Sequence, residues 1–247
     1  MHRFYLPDAD FTNQTVSITN KNEIHHLHDV LRLKKDDEIS IFDGRGSQAT
    51  GRISACLPLE VQIEIIKVEK ITSSMPRIIL ACAIPKKTKF EWIIEKATEL
   101  GVSEIIPLKT KRTEIDLKGD RLEKKIQRYQ TVAVNAAKQS KRVTVPLIHT
   151  ITAFDAALSV LTQNATVIIP SLSGKREPLL TVLLKIKPST PIAFLIGPEG
   201  DFTKEEYGQA RARGCHAVTL GETTLKVETA AIATLACAQI FYSHKEN

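Results

Sequence analysis

Ile192-Ala193-Phe194-Leu195-Ile196-Gly197-Pro198-Glu199-Gly200-Asp201-Phe202-Thr203-Lys204-Glu205-Glu206 is the stretch on which the fold turns. It begins as an unbroken apolar run, which suits a strand covered on both faces. It breaks at Gly-Pro-Glu-Gly, where two glycines permit positive φ and Pro198 stiffens the chain. Thr203 with Glu206 three residues on is a capping box, so a helix starts there. The reading is strand, tight loop, helix. The loop would lie at the strand's carboxyl end with free backbone N–H groups and one carboxylate, Glu199.

The same alternation extends outward. Residues 78–84 form another apolar run. Residues 87–100 carry a helical stripe at 90, 93, 94, 97 and 100, stopped by Gly101. Strands are expected at 102–108, 143–149, 165–170, 191–197 and 217–221. Helices are expected over Asp120–Gln139 and at 153–162, 177–186, 204–213 and 229–242. Strands alternating with helices predict a mostly parallel, doubly wound α/β sheet. Ligands of such sheets bind beyond the carboxyl ends of the strands. A second loop of that kind is Leu220-Gly221-Glu222-Thr223-Thr224-Leu225-Lys226-Val227-Glu228-Thr229. It is polar and irregular, and it leads into a long apolar helix whose dipole would favour the Glu228 carboxylate.

Residues 1–72 read differently. Their periodicity is mostly two: residues 38–42 alternate, Asp43-Gly44-Arg45-Gly46 supplies a turn, and 48–54 and 60–68 read as strands. One helix fits 22–31. Residues 71–76 read as a linker, giving two domains, 1–72 and 73–247. The total of 247 residues accommodates both.

The net charge is +6, unevenly spread. Residues 1–72 hold 9 basic and 11 acidic groups, whereas 109–142 hold 11 basic and 4 acidic. On a helix Arg121, Lys124, Lys125 and Arg128 would cluster, a pattern shared by solvated helix faces and phosphate-backbone contacts.

Several motifs fail on context. Residues 43–49 match the letter of a dinucleotide fingerprint, but no helix follows, and the phosphate-loop Lys and Ser/Thr are missing. His25-His26-Leu27-His28-Asp29 offers ligand types without a further cluster, so no metal is expected. Cys56, Cys82, Cys215 and Cys237 form no CxxC pair and read as small buried thiols in a reducing compartment. The start of the chain has no basic–apolar–small pattern, and no apolar run is long enough to span a membrane, so a cytoplasmic location is expected.

Taken together, particular motifs carry a resemblance. His26-Leu27-His28-Asp29-Val30-Leu31-Arg32, Ile41-Phe42-Asp43-Gly44, Glu95-Lys96-Ala97-Thr98-Glu99-Leu100-Gly101-Val102, Ala136-Ala137-Lys138-Gln139-Ser140-Lys141-Arg142, Ile196-Gly197-Pro198-Glu199-Gly200 and Leu225-Lys226-Val227-Glu228-Thr229-Ala230 occur in that order. The chain resembles the SPOUT class of RNA methyltransferases, and within it the bacterial family that methylates N3 of a uridine in small-subunit (16S) ribosomal RNA. The resemblance implies an N-terminal PUA-like RNA-binding domain and a C-terminal trefoil-knotted α/β domain. It implies a homodimer, S-adenosylmethionine as cofactor, and 16S ribosomal RNA in the small subunit as partner.

By position, the implied cofactor residues are Pro170, Ser171, Leu172, Ile196, Gly197, Pro198, Glu199, Gly200, Leu220, Gly221, Thr224, Leu225, Lys226, Glu228 and Thr229. Glu228 or Glu199 is the candidate base, and Lys226 or Arg142 the candidate stabiliser of charge on the uracil. Arg3, His26, Arg32, Lys111, Arg112, Lys138, Gln139 and Arg142 are the candidate RNA contacts. The chain departs from the family's pattern at Asp201, where glycine is usual, at Thr223 and Lys226, where arginine is usual, and at Lys138, where glutamate is usual. A non-catalytic ribosome-assembly factor and a same-class methyltransferase acting on another RNA are the competing readings.

Overall fold

The structure is a computed structural model that describes residues 1–72, 75–86, 89–113, 119–172 and 174–243. The chain divides into two compact units, Met1–Ser73 with Ala137–Val145, and Ser74–Ala136 with Pro146–Asn247.

In the first unit, strands β1 (His2–Tyr5), β2 (Thr15–Ile18), β3 (Glu38–Phe42), β4 (Ser47–Leu57) and β5 (Glu60–Lys70) form one sheet in the order β1-β3-β4-β5-β2. β1 runs parallel to β3, and the remaining pairs are antiparallel. The alternation at 38–42 does what period two requires: Ile39 and Ile41 are fully buried with Phe4, Leu27, Ile53 and Ile63, while Glu38 faces solvent. β1 and β2 were not anticipated, because four residues are too few to establish a period. At the turn, Gly44 and Gly46 take φ of 74° and 112°. Asp43 Oδ1 accepts from the N–H groups of Arg45 at 2.7 Å and Ser47 at 3.0 Å. This is a hairpin turn, not a phosphate cradle.

The helix anticipated at 22–31 is composite. A short α1 (Lys21–His25) is capped by Asn20, whose side chain accepts from Asn22 N–H at 2.9 Å. It passes into a π-helical turn, His26–Val30. Leu31 N–H donates to His26 O at 2.9 Å, five residues back, which widens the turn while Leu27 stays in the core. Periodicity alone cannot distinguish this from a continuous α-helix.

The second unit holds an eight-stranded sheet. Its strands are β6 (Ile78–Ala83), β7 (Glu104–Lys109), β8 (Leu147–Ile148), β9 (Thr152–Ala153), β10 (Thr166–Pro170), β11 (Glu177–Pro178), β12 (Ile192–Ile196) and β13 (His216–Thr219). The order is β11-β13-β10-β12-β6-β7-β8, β9 also pairs with β7, and all these pairings are parallel. The expected strand–helix alternation holds, with α2 (Lys89–Glu99), α3 (Asp120–Gln139), α4 (Phe154–Asn164), α5 (Leu179–Lys185), α6 (Lys204–Ala212) and α7 (Val227–Ser243). β6 and β12 are neighbours at the middle of the sheet, and every residue of both is buried, which is why they read as continuous apolar runs.

Three expectations are corrected. The strand foreseen at 143–149 is divided: Val143 O accepts from Gly46 N–H and Val145 N–H donates to Gly44 O in the first unit, and only Leu147–Ile148 pairs with β7. Pro146, which has no N–H, stands at the division. The helix foreseen at 177–186 begins at Leu179, because Glu177–Pro178 pairs with β13. Cys82 and Cys215 are buried as expected, but Cys56 is exposed. No helix among the described residues is long and apolar enough to cross a membrane.

Candidate functional site

β13, β10 and β12 are consecutive in the sheet, so the segments leaving their carboxyl ends meet. They enclose a cavity of about 340 Å³. Its wall takes Pro170, Ser171 and Leu172 after β10, and Ile196, Gly197, Pro198, Glu199 and Asp201 after β12. It takes Leu220, Gly221, Thr223, Thr224, Leu225 and Lys226 after β13, then Val227, Glu228 and Ala230 of α7. Thirteen of the fifteen cofactor positions foreseen in sequence line it, while Gly200 and Thr229 do not. Gly200 is exposed and its carbonyl accepts from the Arg112 guanidinium. Thr229 is exposed next to the inward-facing Glu228. Lys89 and Arg176 also line the cavity and were missed, because nothing in their local sequence marks them.

The 197–201 loop is fixed at nearly every joint. A Cβ on Gly197 would stand 3.1 Å from the Phe202 ring and 3.3 Å from Phe202 N, a tight approach that glycine relieves. Asp201 N–H donates to Pro198 O at 2.9 Å, closing a turn. Asp201 holds φ at 63°, the left-handed region that favours the family's glycine, and stabilises it locally: Oδ1 accepts from its neighbour Phe202 N–H at 2.8 Å. The same oxygen accepts from the Tyr207 hydroxyl at 2.7 Å. Burial and Asp201 hold the Tyr207 phenol above its ordinary range. The foreseen capping box is present, with Thr203 N–H donating to Glu206 at 2.8 Å and Glu206 N–H to Thr203 at 3.2 Å. Glu206 also accepts from Lys111 N–H at 3.0 Å, so Lys111 and Arg112 both lie against this loop and its helix.

The two candidate bases differ. Glu199 is exposed and accepts from Lys86 N–H at 3.1 Å, which hooks the loop to the segment after β6. Glu228 lies in the first turn of α7, its side chain 19% exposed. Its Oε1 accepts from Lys89 Nζ at 2.9 Å. Its Oε2 is buried and has no hydrogen-bond partner among the described residues. The hydrogen bond from Lys89 holds the Glu228 carboxyl below its usual range, with smaller help from the charge of Lys226. The carboxylate is therefore ionised at neutral pH, and its residue lines the cavity. Lys226 is exposed at the mouth of the segment.

The remaining RNA candidates belong to the first unit. Arg3 stacks 4.4 Å over the Phe42 ring and donates to Arg142 O at 2.8 Å. Arg142 donates to Thr144 Oγ1 at 2.8 Å, and burial lowers its pKa to about 10. Lys138 is turned inward, paired with Glu23 at 2.8 Å. His26 meets the Phe4 ring edge-on at 6.2 Å, whereas Arg32 and Gln139 are exposed. Of the foreseen α3 cluster, Arg128 and Lys125 face Glu91 at 2.8 and 3.6 Å, and Arg121 and Lys124 are exposed. Among the described residues no group of three His, Cys, Asp or Glu could hold a metal ion; His25 and Asp29 form only a local pair at 2.6 Å.

The chain carries a parallel sheet with a cavity at the carboxyl ends of three adjacent strands, and the domain matches give its class: an RNA methyltransferase. The family model for an RNA methyltransferase domain matches residues 72–239, and that for an RNA methyltransferase PUA domain matches 18–66. A relative from Synechocystis, ribosomal RNA small subunit methyltransferase E, is 31% identical over 97% of this chain and 77% of its own. The protein of the same name from Rickettsia conorii is 27% identical over 99% and 98%. The crystal structure of ribosomal RNA small subunit methyltransferase E from Neisseria gonorrhoeae bound to S-adenosyl methionine superposes with a TM-score of 0.86, at 32% identity and 98% coverage of both chains. The chain belongs to the ribosomal RNA small subunit methyltransferase E family.

Proposed function

We propose that this protein methylates N3 of a uridine in small-subunit (16S) ribosomal RNA, using S-adenosylmethionine held in the cavity beyond β10, β12 and β13. The observation that carries the reading is the cavity itself, built by the three segments that the family resemblance assigns to the cofactor. Its chemistry suits that molecule. Ile196, Leu220, Leu225 and Val227 offer apolar surface to a purine, the loops bring backbone groups close, and the ionised Glu228 on the wall sets negative charge near a cationic ligand.

When bound, S-adenosylmethionine supplies a methyl group on a sulfonium, the S–C bond breaking as the C–N3 bond forms and a neutral thioether remaining. The chain's own residues do the rest. The loop 197–201 and the segment 220–226 orient the reactants, since an in-line displacement gains most from alignment. The Glu228 carboxylate accepts the N3 proton of the uracil, freeing the N3 lone pair for attack. Lys226 places positive charge near the uracil oxygens as they become more negative. Glu199 holds the loop to Lys86 and is given a bracing role.

RNA is held in this reading by a PUA-like domain spanning 1–72, through Arg3, His26 and Arg32, together with Arg142 from the segment that packs with it in the first unit. Lys111, Arg112, Gln139, Arg121 and Lys124 add backbone contacts from the 109–142 region. The domain 73–247 carries the chemistry, with a trefoil knot formed by its last segment, and acts as a homodimer in the cytoplasm; these features rest on the family resemblance. The test is transfer of a labelled methyl group from S-adenosylmethionine onto small ribosomal subunits that lack the modification. Label in the RNA supports the reading. Subunit binding without transfer would make the chain an RNA-binding assembly factor.

A further inference from the structure

Lys89 is the residue of the cavity that neither its sequence nor its helix explains. It opens α2, where the positive end of the helix dipole disfavours a cation. α2 packs against α7, and Glu228 sits in the first turn of α7. The starts of two helices thus face one carboxylate, and Lys89 reaches it at 2.9 Å. Lys89 is itself 41% exposed on the cavity wall, so the pair is not sealed in the core. The contact engages Oε1 alone, and leaves Oε2 buried and without a protein partner.

We propose that Lys89 is a positioning residue for methyl transfer: by engaging Oε1 of Glu228 it fixes the orientation of the carboxylate beside the cavity, where the uracil N–H is to meet it. The inference rests on the functional reading above. The geometry gives the division of labour, because a carboxylate held at one oxygen cannot rotate away when the substrate arrives. The surroundings keep the arrangement electrically one-sided. Lys226 faces Glu228 from the segment before α7, and Lys89 from α2. Cys82 on β6 is held neutral by burial and by the charges of Glu199 and Glu228, which push its thiol up. The hydrogen bond from Lys89 also holds the Glu228 carboxyl below its usual range.

The experiment compares wild type, Lys89→Met, Lys89→Gln and Lys89→Arg, with Glu228→Gln as the reference. Two readouts are taken: the carbon-13 NMR titration of Glu228 in the cofactor-free protein, assigned by its loss in Glu228→Gln, and the pH profile of single-turnover methyl transfer. In Lys89→Met the Glu228 midpoint should move to higher pH. Its transfer rate should fall by about tenfold, and the low-pH limb of the profile should move in the same direction as the midpoint. Lys89→Arg should restore both, and Lys89→Gln serves if the Met variant fails to fold. An unmoved NMR midpoint overturns the inference, as does a moved midpoint with an unchanged rate profile. A wild-type protein that transfers no methyl group overturns the functional reading itself, and this outcome is distinct because it appears before any variant is made.

Discussion

The loop 197–201 and the segment 220–228 line one cavity, and they are held in opposite ways. In the loop after β12, Asp201 is bonded to Phe202 N–H and Tyr207, Glu199 to Lys86 N–H, and Gly200 O to Arg112. Its polar groups are spent on the protein. In the segment before α7, residues 221–224 are all exposed, and Glu228 keeps one oxygen without a partner. The first loop is a fixed wall shaped by its own bonds. The second is an exposed polar segment, tied back at Gly221 to Thr219 and at Glu228 to Lys89. The difference separates residues that hold shape from residues that do chemistry, even where both are carboxylates.

Substitutions can sharpen or break this contrast. The largest effect is expected at Glu228→Gln, which keeps size and removes the base. Methyl transfer should fall by about a hundredfold or more, with the unfolding midpoint little moved. Retention of full rate would place the chemistry elsewhere. Gly197→Ala comes next, because its Cβ would press on Phe202. A loss of about 1–3 kcal/mol in denaturant unfolding is expected, together with weaker cofactor binding by calorimetry. An unperturbed protein would show that the wall gives way more readily than its contacts suggest.

A pair of variants at Asp201 isolates backbone from side chain. Asp201→Ala and Asp201→Gly lose the same bonds, but only alanine must hold φ near 63° without a side-chain bond to its neighbour. Alanine should be less stable by about 1 kcal/mol. Equal stabilities would remove the backbone from the explanation. The smallest effect is expected at Glu199→Gln, since an amide oxygen can still accept from Lys86 N–H. Stability should stay within about 0.5 kcal/mol, and the rate within a few-fold.

Much of this was legible in the sequence where a single residue's chemistry sufficed. The buried runs of β6 and β12, the Thr203–Glu206 capping box and the Asp43–Gly46 turn are local codes, and each stands as read. The three cavity segments were legible through the family resemblance and their places at strand ends. What failed depended on partners far away in the chain. Lys138 read as an RNA contact, yet Glu23, 115 residues away, takes its ammonium group. Lys89 read only as one residue of the helix over 87–100, yet it pairs with Glu228, 139 residues away. Residues 143–145 read as part of a sheet strand, yet their bonds go to the turn at Gly44 and Gly46. No pattern within a window of sequence carries such pairings.

The most direct test of the account is the identity of the methylated nucleoside. Small subunits lacking the modification would be incubated with the protein and S-adenosylmethionine, and the RNA then digested to nucleosides for mass spectrometry. The account predicts 3-methyluridine, lost in Glu228→Gln. A methyl group on a ribose, on another base, or on uridine carbon would contradict it, because none of these requires a carboxylate to take the N3 proton.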